Sequence, residues 1–107
     1  MSRPAPAPGP FRSFAEFYPY YLHEHRRWGN RILHFYGTGF GLLLTTLAVI
    51  YHRPLLVAVG IVGAYGMAWT GHFFIEKNRP ATFRHPFYSF LGDLRMFFEL
   101  LTQKQRF

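Results

Sequence analysis

From Ile32 to Tyr51, and again from Pro54 to Ile75, the chain carries no Asp, Glu, Lys or Arg. Each run is about the length a helix needs to cross the hydrocarbon core of a bilayer, roughly 20 residues. Spans are therefore predicted over about 32–51 and 54–76. The connection Tyr51-His52-Arg53-Pro54 is so short that it predicts a tight antiparallel hairpin, with Pro54 as first residue of the second helix. Upstream, Ser13 and Glu16 have capping-box spacing, which predicts a helix from Phe14. Phe14, Phe17, Tyr18, Tyr21 and Leu22 follow at helical intervals, and Pro19 is expected to kink or restart that helix. Such aromatics suit either the headgroup region or packing onto the bundle. Downstream, Pro86 can open a further helix in which Phe90, Leu91, Leu94, Phe97, Phe98 and Leu101 form an apolar stripe. Gly92, Asp93, Arg95 and Glu99 fall mostly elsewhere, and these charges argue against a third span. The fold class expected is an all-α integral membrane protein: a two-helix transmembrane hairpin flanked by N- and C-terminal amphipathic interfacial helices.

At 107 residues the chain makes one domain. Residues 1–12, rich in Pro, are expected to be disordered, and residues 13–107 to form a single membrane domain. Residues 1–10 lack the apolar run of a signal peptide, so the first span is expected to be an uncleaved anchor. A net charge of +7 suits either nucleic acid or an anionic membrane surface. The two charge-free runs decide for the membrane and against nucleic acid, with a soluble Phe-rich bundle as the alternative. Cysteine is absent, which excludes disulfides and thiolate metal sites. Arg26, Arg27 and Arg31 precede the first span, Lys77, Arg79 and Arg84 follow the second, and Arg53 alone lies at the turn. Both termini are accordingly expected to be cytoplasmic.

Small residues recur on one face of each span: Gly37, Gly41, Thr45 and Ala48 in the first, Gly60, Ala64, Ala68 and Gly71 in the second. Such stripes let membrane helices approach closely. His34 extends the first stripe and His72 the second. Each lies about 19 residues from the turn, roughly 28 Å along its helix, so the two imidazoles are expected at one level, facing each other at the cytoplasmic mouth. His72 and Glu76 stand four apart and share a helix face. Imidazoles with a carboxylate and open positions suit iron-dependent oxygen chemistry. His25 could add a third imidazole, and Glu76 could ligate or orient His72. Alternatively, His34 and His72 hydrogen-bond across the interface while Glu76 pairs with an Arg. His23 and His85 carry less weight, His52 is expected in solvent at the far turn, and Asp93 is expected as an exposed acid, with approach to the site from the last helix as the alternative. No nucleophile elbow, phosphate-binding Gly loop or H-E-x-x-H motif is present.

Tyr21-Leu22, Glu24-His25, Asn30-Arg31, Leu33-His34-Phe35 and Gly37-Thr38 resemble the first motif of the Mpo1-like family. Gly71-His72, Glu76 to Phe83, Pro86, Tyr88-Ser89 and Gly92-Asp93 resemble its second. The likeness covers about residues 14–101 and is nearest the short bacterial branch, which points to a bacterial inner membrane. It implies an iron(II)-dependent dioxygenase that shortens 2-hydroxy fatty acids by one carbon, with Fe(2+) as cofactor and O2 as co-substrate. It further implies a ferrous site of His25, His34 and His72, with Glu76 as the motif's acid. A 2-hydroxy acid would chelate iron through its carboxylate and hydroxyl, with its tail among Phe35, Phe40, Phe73 and Phe74. Arg79 or Arg84 would first hold its carboxylate. A homo-oligomer is allowed for. The competing classes are a haem-binding electron-transfer protein, with His34 and His72 as axial ligands, and a non-catalytic membrane assembly protein.

Overall fold

The computed structural model describes residues 9–107 and is all-helical, with no strand among them. The four α-helices are α1 (Phe14–Glu24), α2 (Trp28–Tyr51), α3 (Leu55–Thr70) and α4 (Pro86–Leu101). α3 runs on into a π-helical segment, Gly71–Glu76, and a short 3-10 turn, Ala81–Phe83, precedes α4. Residues 1–8 of the expected disordered tail lie outside the described residues. Phe11, also in that tail, packs with its ring centroid 5.3 Å from that of Phe17 and 5.0 Å from that of His85.

α1 begins as its capping spacing predicts, with the Ser13 Oγ accepting from the Glu16 N–H. Glu16 in turn accepts from the Arg12 N–H rather than from Ser13 itself. Pro19 does not restart the helix. It removes one N–H, and the carbonyl left without a donor belongs to Ala15, which like Pro19 faces outward. Phe17, Tyr18 and Tyr21 are buried and form a core with Ala81, Met96 and Leu100, so of the two readings for these aromatics it is packing that describes them.

α2 and α3 are antiparallel and form the most extensive interface in the molecule. A Cβ on Gly37 would come 3.0 Å from the Ala64 carbonyl oxygen, and one on Gly60 would lie 3.3 Å from the Gly41 Cα. The backbones touch there because glycine permits it. The first-span stripe departs from expectation at Thr45, which is exposed; Leu44 packs on Gly60 in its place. An α-helix turns slightly more than a strict four-residue repeat allows, so the contact line drifts off that row of residues. His52, in the left-handed region at φ 54°, ends α2. α2 starts at Trp28 rather than at Ile32, because its N-terminus is capped from afar, as described below.

α4 begins at Pro86, as expected, and its apolar stripe divides between inward Phe97, stacked on Phe35, and outward residues. Ser89, Gly92, Met96 and Leu100 are buried, whereas Phe90, Phe98 and Leu101 point outward. The small and polar face packs inward, since only there can α4 come close to Tyr21. Outward apolar side chains also cover α2 and α3: Val62 is 72% exposed and Phe74 75%. Trp28–Tyr51 and Leu55–Glu76 are both long and apolar enough to cross a membrane, and little of either is buried within the protein. A belt of this kind is what a soluble monomer avoids.

Candidate metal centre

Three elements deliver three imidazoles to one point. His25 is the residue that ends α1, His34 lies in the second turn of α2, and His72 lies in the π-helical segment. All three are buried, with ring centroids 4.3 Å apart for His25 and His34, 4.4 Å for His25 and His72, and 4.9 Å for His34 and His72. One nitrogen from each lies within 4.8 Å of the others.

The hydrogen bonds behind the rings fix their protonation. His25 Nδ1 lies 2.6 Å from the Tyr21 carbonyl oxygen, and His34 Nδ1 3.0 Å from that of Asn30. A carbonyl only accepts, so both Nδ1 atoms must carry the proton. His72 Nδ1 lies 2.7 Å from Asn78 Oδ1. The Asn78 amide is oriented by its Nδ2, which donates to the Glu24 carbonyl and carboxylate, so His72 Nδ1 is again the donor. Every Nε2 is then a bare lone pair. His25 Nε2 and His34 Nε2 face each other at 3.0 Å. Two acceptors at that distance repel unless a cation joins them. A proton is a poor candidate, because burial and the neighbouring His34 and His72 push the His25 imidazole well below its usual range. A metal ion could take one nitrogen from each of the three, which lie within 4.8 Å of one another. About 3 Å is the spacing of two imidazole nitrogens each about 2.0–2.1 Å from one ion. The donor set therefore fits a borderline divalent metal, and the Nδ1 partners supply the outer support such sites use.

Glu76 is not part of this set. Its Oε1 accepts the backbone N–H of Arg27, the residue that caps α2, and so satisfies an open donor at that helix's positive end. Both residues lie in the π-helical segment, but they take different partners: His72 Nδ1 meets Asn78, whereas Glu76 meets the Arg27 N–H. Neither does Glu76 pair with a guanidinium. Arg79 and Arg84 are exposed and line a separate surface pocket beside Tyr20 and Glu24. His52 is exposed, His23 contacts Arg26, and His85 packs on Phe11 and Phe17; none of these joins the cluster.

Several residues that were not read as parts of the site shape it. Tyr21 stacks on His25, ring centroids 3.9 Å apart, and its hydroxyl donates to Asp93 Oδ1. Asp93, read from sequence as an exposed acid, lines the cavity beside the imidazoles; burial raises its carboxyl to about 7 although the Tyr21 bond opposes the rise. The signal available was its neighbour: a Cβ on Gly92 would sit 2.8 Å from the Tyr21 ring, so that helix face had to come close to something. Ser89 Oγ lines the same cavity and is buried without a partner. Arg31 holds the His25 carbonyl through Nε at 2.6 Å and the Arg106 carbonyl through Nη1 at 2.6 Å, tying the ligand-bearing joint to the C-terminal segment. The imidazole cavity, about 10 Å³, adjoins an apolar groove of about 120 Å³ between α2, α3 and α4. Phe35, Phe40, Phe73 and Phe74 are not on the groove's wall, which Thr38, Leu42, Ile61, Ala64, Phe90 and Leu94 supply.

Neither a curated protein nor a solved structure matches this chain. A family model does, over residues 11–105, with the description 2-hydroxy-palmitic acid dioxygenase Mpo1-like. That match takes in the three imidazoles, their supporting residues and nearly the whole of the helical fold, and the chain belongs to the Mpo1-like family.

Proposed function

We propose that this protein is a membrane-embedded, iron(II)-dependent dioxygenase that shortens 2-hydroxy fatty acids by one carbon, with His25, His34 and His72 as metal ligands. The observation that carries the reading is three buried imidazoles, one nitrogen of each within 4.8 Å of the others, whose Nδ1 atoms all face acceptors. The family's description supplies the substrate class. When bound, ferrous iron supplies coordination for the acid's oxygens and a site at which O2 is activated.

The chain's own residues prepare that centre. Asn78 and the carbonyls of Tyr21 and Asn30 hold the imidazoles in orientation. Glu76 is a positioning residue that fixes the start of α2, and thereby His34, two turns on. The apolar groove takes the acyl tail and keeps water from the reacting end. Arg79 and Arg84 raise the positive potential near the mouth, which favours arrival of a carboxylate without touching it at the site. The balanced reaction consumes one O2 and yields the acid one carbon shorter, CO2 and water.

The same reading places α2 and the α3–π segment across a bacterial inner membrane, with the imidazoles near the cytoplasmic face where Arg26, Arg27, Lys77 and Arg79 cluster. The haem alternative loses support, because a cavity of about 10 Å³ leaves no room for a macrocycle between imidazoles this close. To test the reading, the purified iron-loaded protein is given 2-hydroxypalmitate and O2. Pentadecanoic acid, formed by the wild type and absent with His34→Ala, is the expected result. Oxygen uptake and product absent from an iron-replete preparation would remove the dioxygenase assignment.

A further inference from the structure

The imidazole cavity and the apolar groove share part of their walls: His34, Tyr65, Ala68 and Asp93 line both. They form one path, polar at the imidazole end and apolar beyond it. Ile61 and Phe90 on the groove wall are half exposed on the outer surface, so the groove opens sideways, where lipid chains would lie. The path suits the polarity of a single-chain amphiphile, head toward the imidazoles and tail between the helices, once the helices part to admit it.

Asp93 is the one carboxylate among the residues lining either cavity. The Tyr21 hydroxyl fixes its Oδ1, and the absence of a side chain at Gly92 lets the Tyr21 ring lie close beneath it. Among the described residues its Oδ2 has no hydrogen-bond partner. In its ionised form this carboxyl repels a second carboxylate and accepts from an O–H. Resting on the function proposed above, we propose that Asp93 is the specificity-determining residue: its Oδ2 accepts the hydroxyl proton of the 2-hydroxy acid and directs that acid's carboxylate to the imidazole side. An acid lacking the hydroxyl leaves this cavity-lining acceptor unmatched, which sites built to bond a hydroxyl penalise.

The test is calorimetric binding of 2-hydroxypalmitate and of palmitate to the iron-loaded protein in detergent, held anaerobic so that nothing turns over. The wild type is expected to prefer the hydroxy acid by about ten- to a hundredfold, the range of a hydrogen bond to a charged group. Asp93→Asn, which keeps an acceptor for Tyr21, is expected to retain its iron and melting temperature while that preference falls about tenfold. Leu42→Trp, which fills the groove, is expected to weaken both acids alike and leave the preference intact. A folded, iron-replete Asp93→Asn protein with undiminished preference overturns the proposal. So does loss of iron in that variant, which would make Asp93 part of the metal's own support, and so does a Leu42→Trp protein that binds palmitate as the wild type does. Failure of the underlying reading looks different: a wild type that holds no iron and forms no product, whatever acid it binds.

Discussion

His25, His34 and His72 are set by single hydrogen bonds, and their legibility in the sequence differs from that of their partners. His34 and His72 stood out because each extends a small-residue face at matching distance from one turn. Asn78 did not, because its role depends on meeting Glu24 from 54 positions away. Asp93 was misread for the same reason, since the Tyr21 hydroxyl that buries it lies 72 positions off. Pairings of that range have no periodicity to announce them. Asn78→Leu removes the acceptor that fixes the His72 tautomer and is expected to weaken metal binding by about ten- to a hundredfold, read by chelator competition. Unchanged affinity would mean that the imidazole orients itself. Glu76→Gln keeps an acceptor for the Arg27 N–H and is expected to retain the full metal load. Glu76→Ala costs about 1 kcal/mol of stability as a lost cap, again without releasing the metal. Loss of metal from the Gln variant would identify Glu76 as a ligand instead.

Helix boundaries were legible where local chemistry sets them and not where another element does. Ser13 and Pro86 mark the starts of α1 and α4 by their own side chains. The start of α2 depends on Glu76, far along the chain, and was placed late. The π-helical turn leaves no sequence signature beyond Gly71, where a Cβ would stand 2.0 Å from Asn30 Oδ1. The apolar stripe of α4 was legible but not its split: Phe97 stacks on Phe35, while Phe90, Phe98 and Leu101 face outward and Gly92 faces in. Gly71→Ala and Gly92→Ala each force a methyl into occupied space and are expected to destabilise the protein by about 1–3 kcal/mol, measured as unfolding in detergent. Phe98→Leu, on the outward face, is expected to change stability by less than about 0.5 kcal/mol. A larger loss there would return that face to the core.

At the scale of the whole molecule, two charge-free runs announced two long apolar helices, and their outward apolar belt is what lipid would cover. The absence of cysteine makes the proposed topology directly testable. A thiol introduced as Arg53→Cys should react only from the side opposite one introduced as Lys104→Cys, and labelling of both from one side would remove the hairpin from the membrane. What the fold accomplishes, on this account, is to bring three neutral imidazoles to one point that only a cation makes favourable. The most direct test is the metal content of anaerobically purified, ferrous-reconstituted protein beside the His34→Ala/His72→Ala double variant. The account predicts close to one iron per chain in the wild type and none in the variant. Equal iron in both, or none in either, would contradict it.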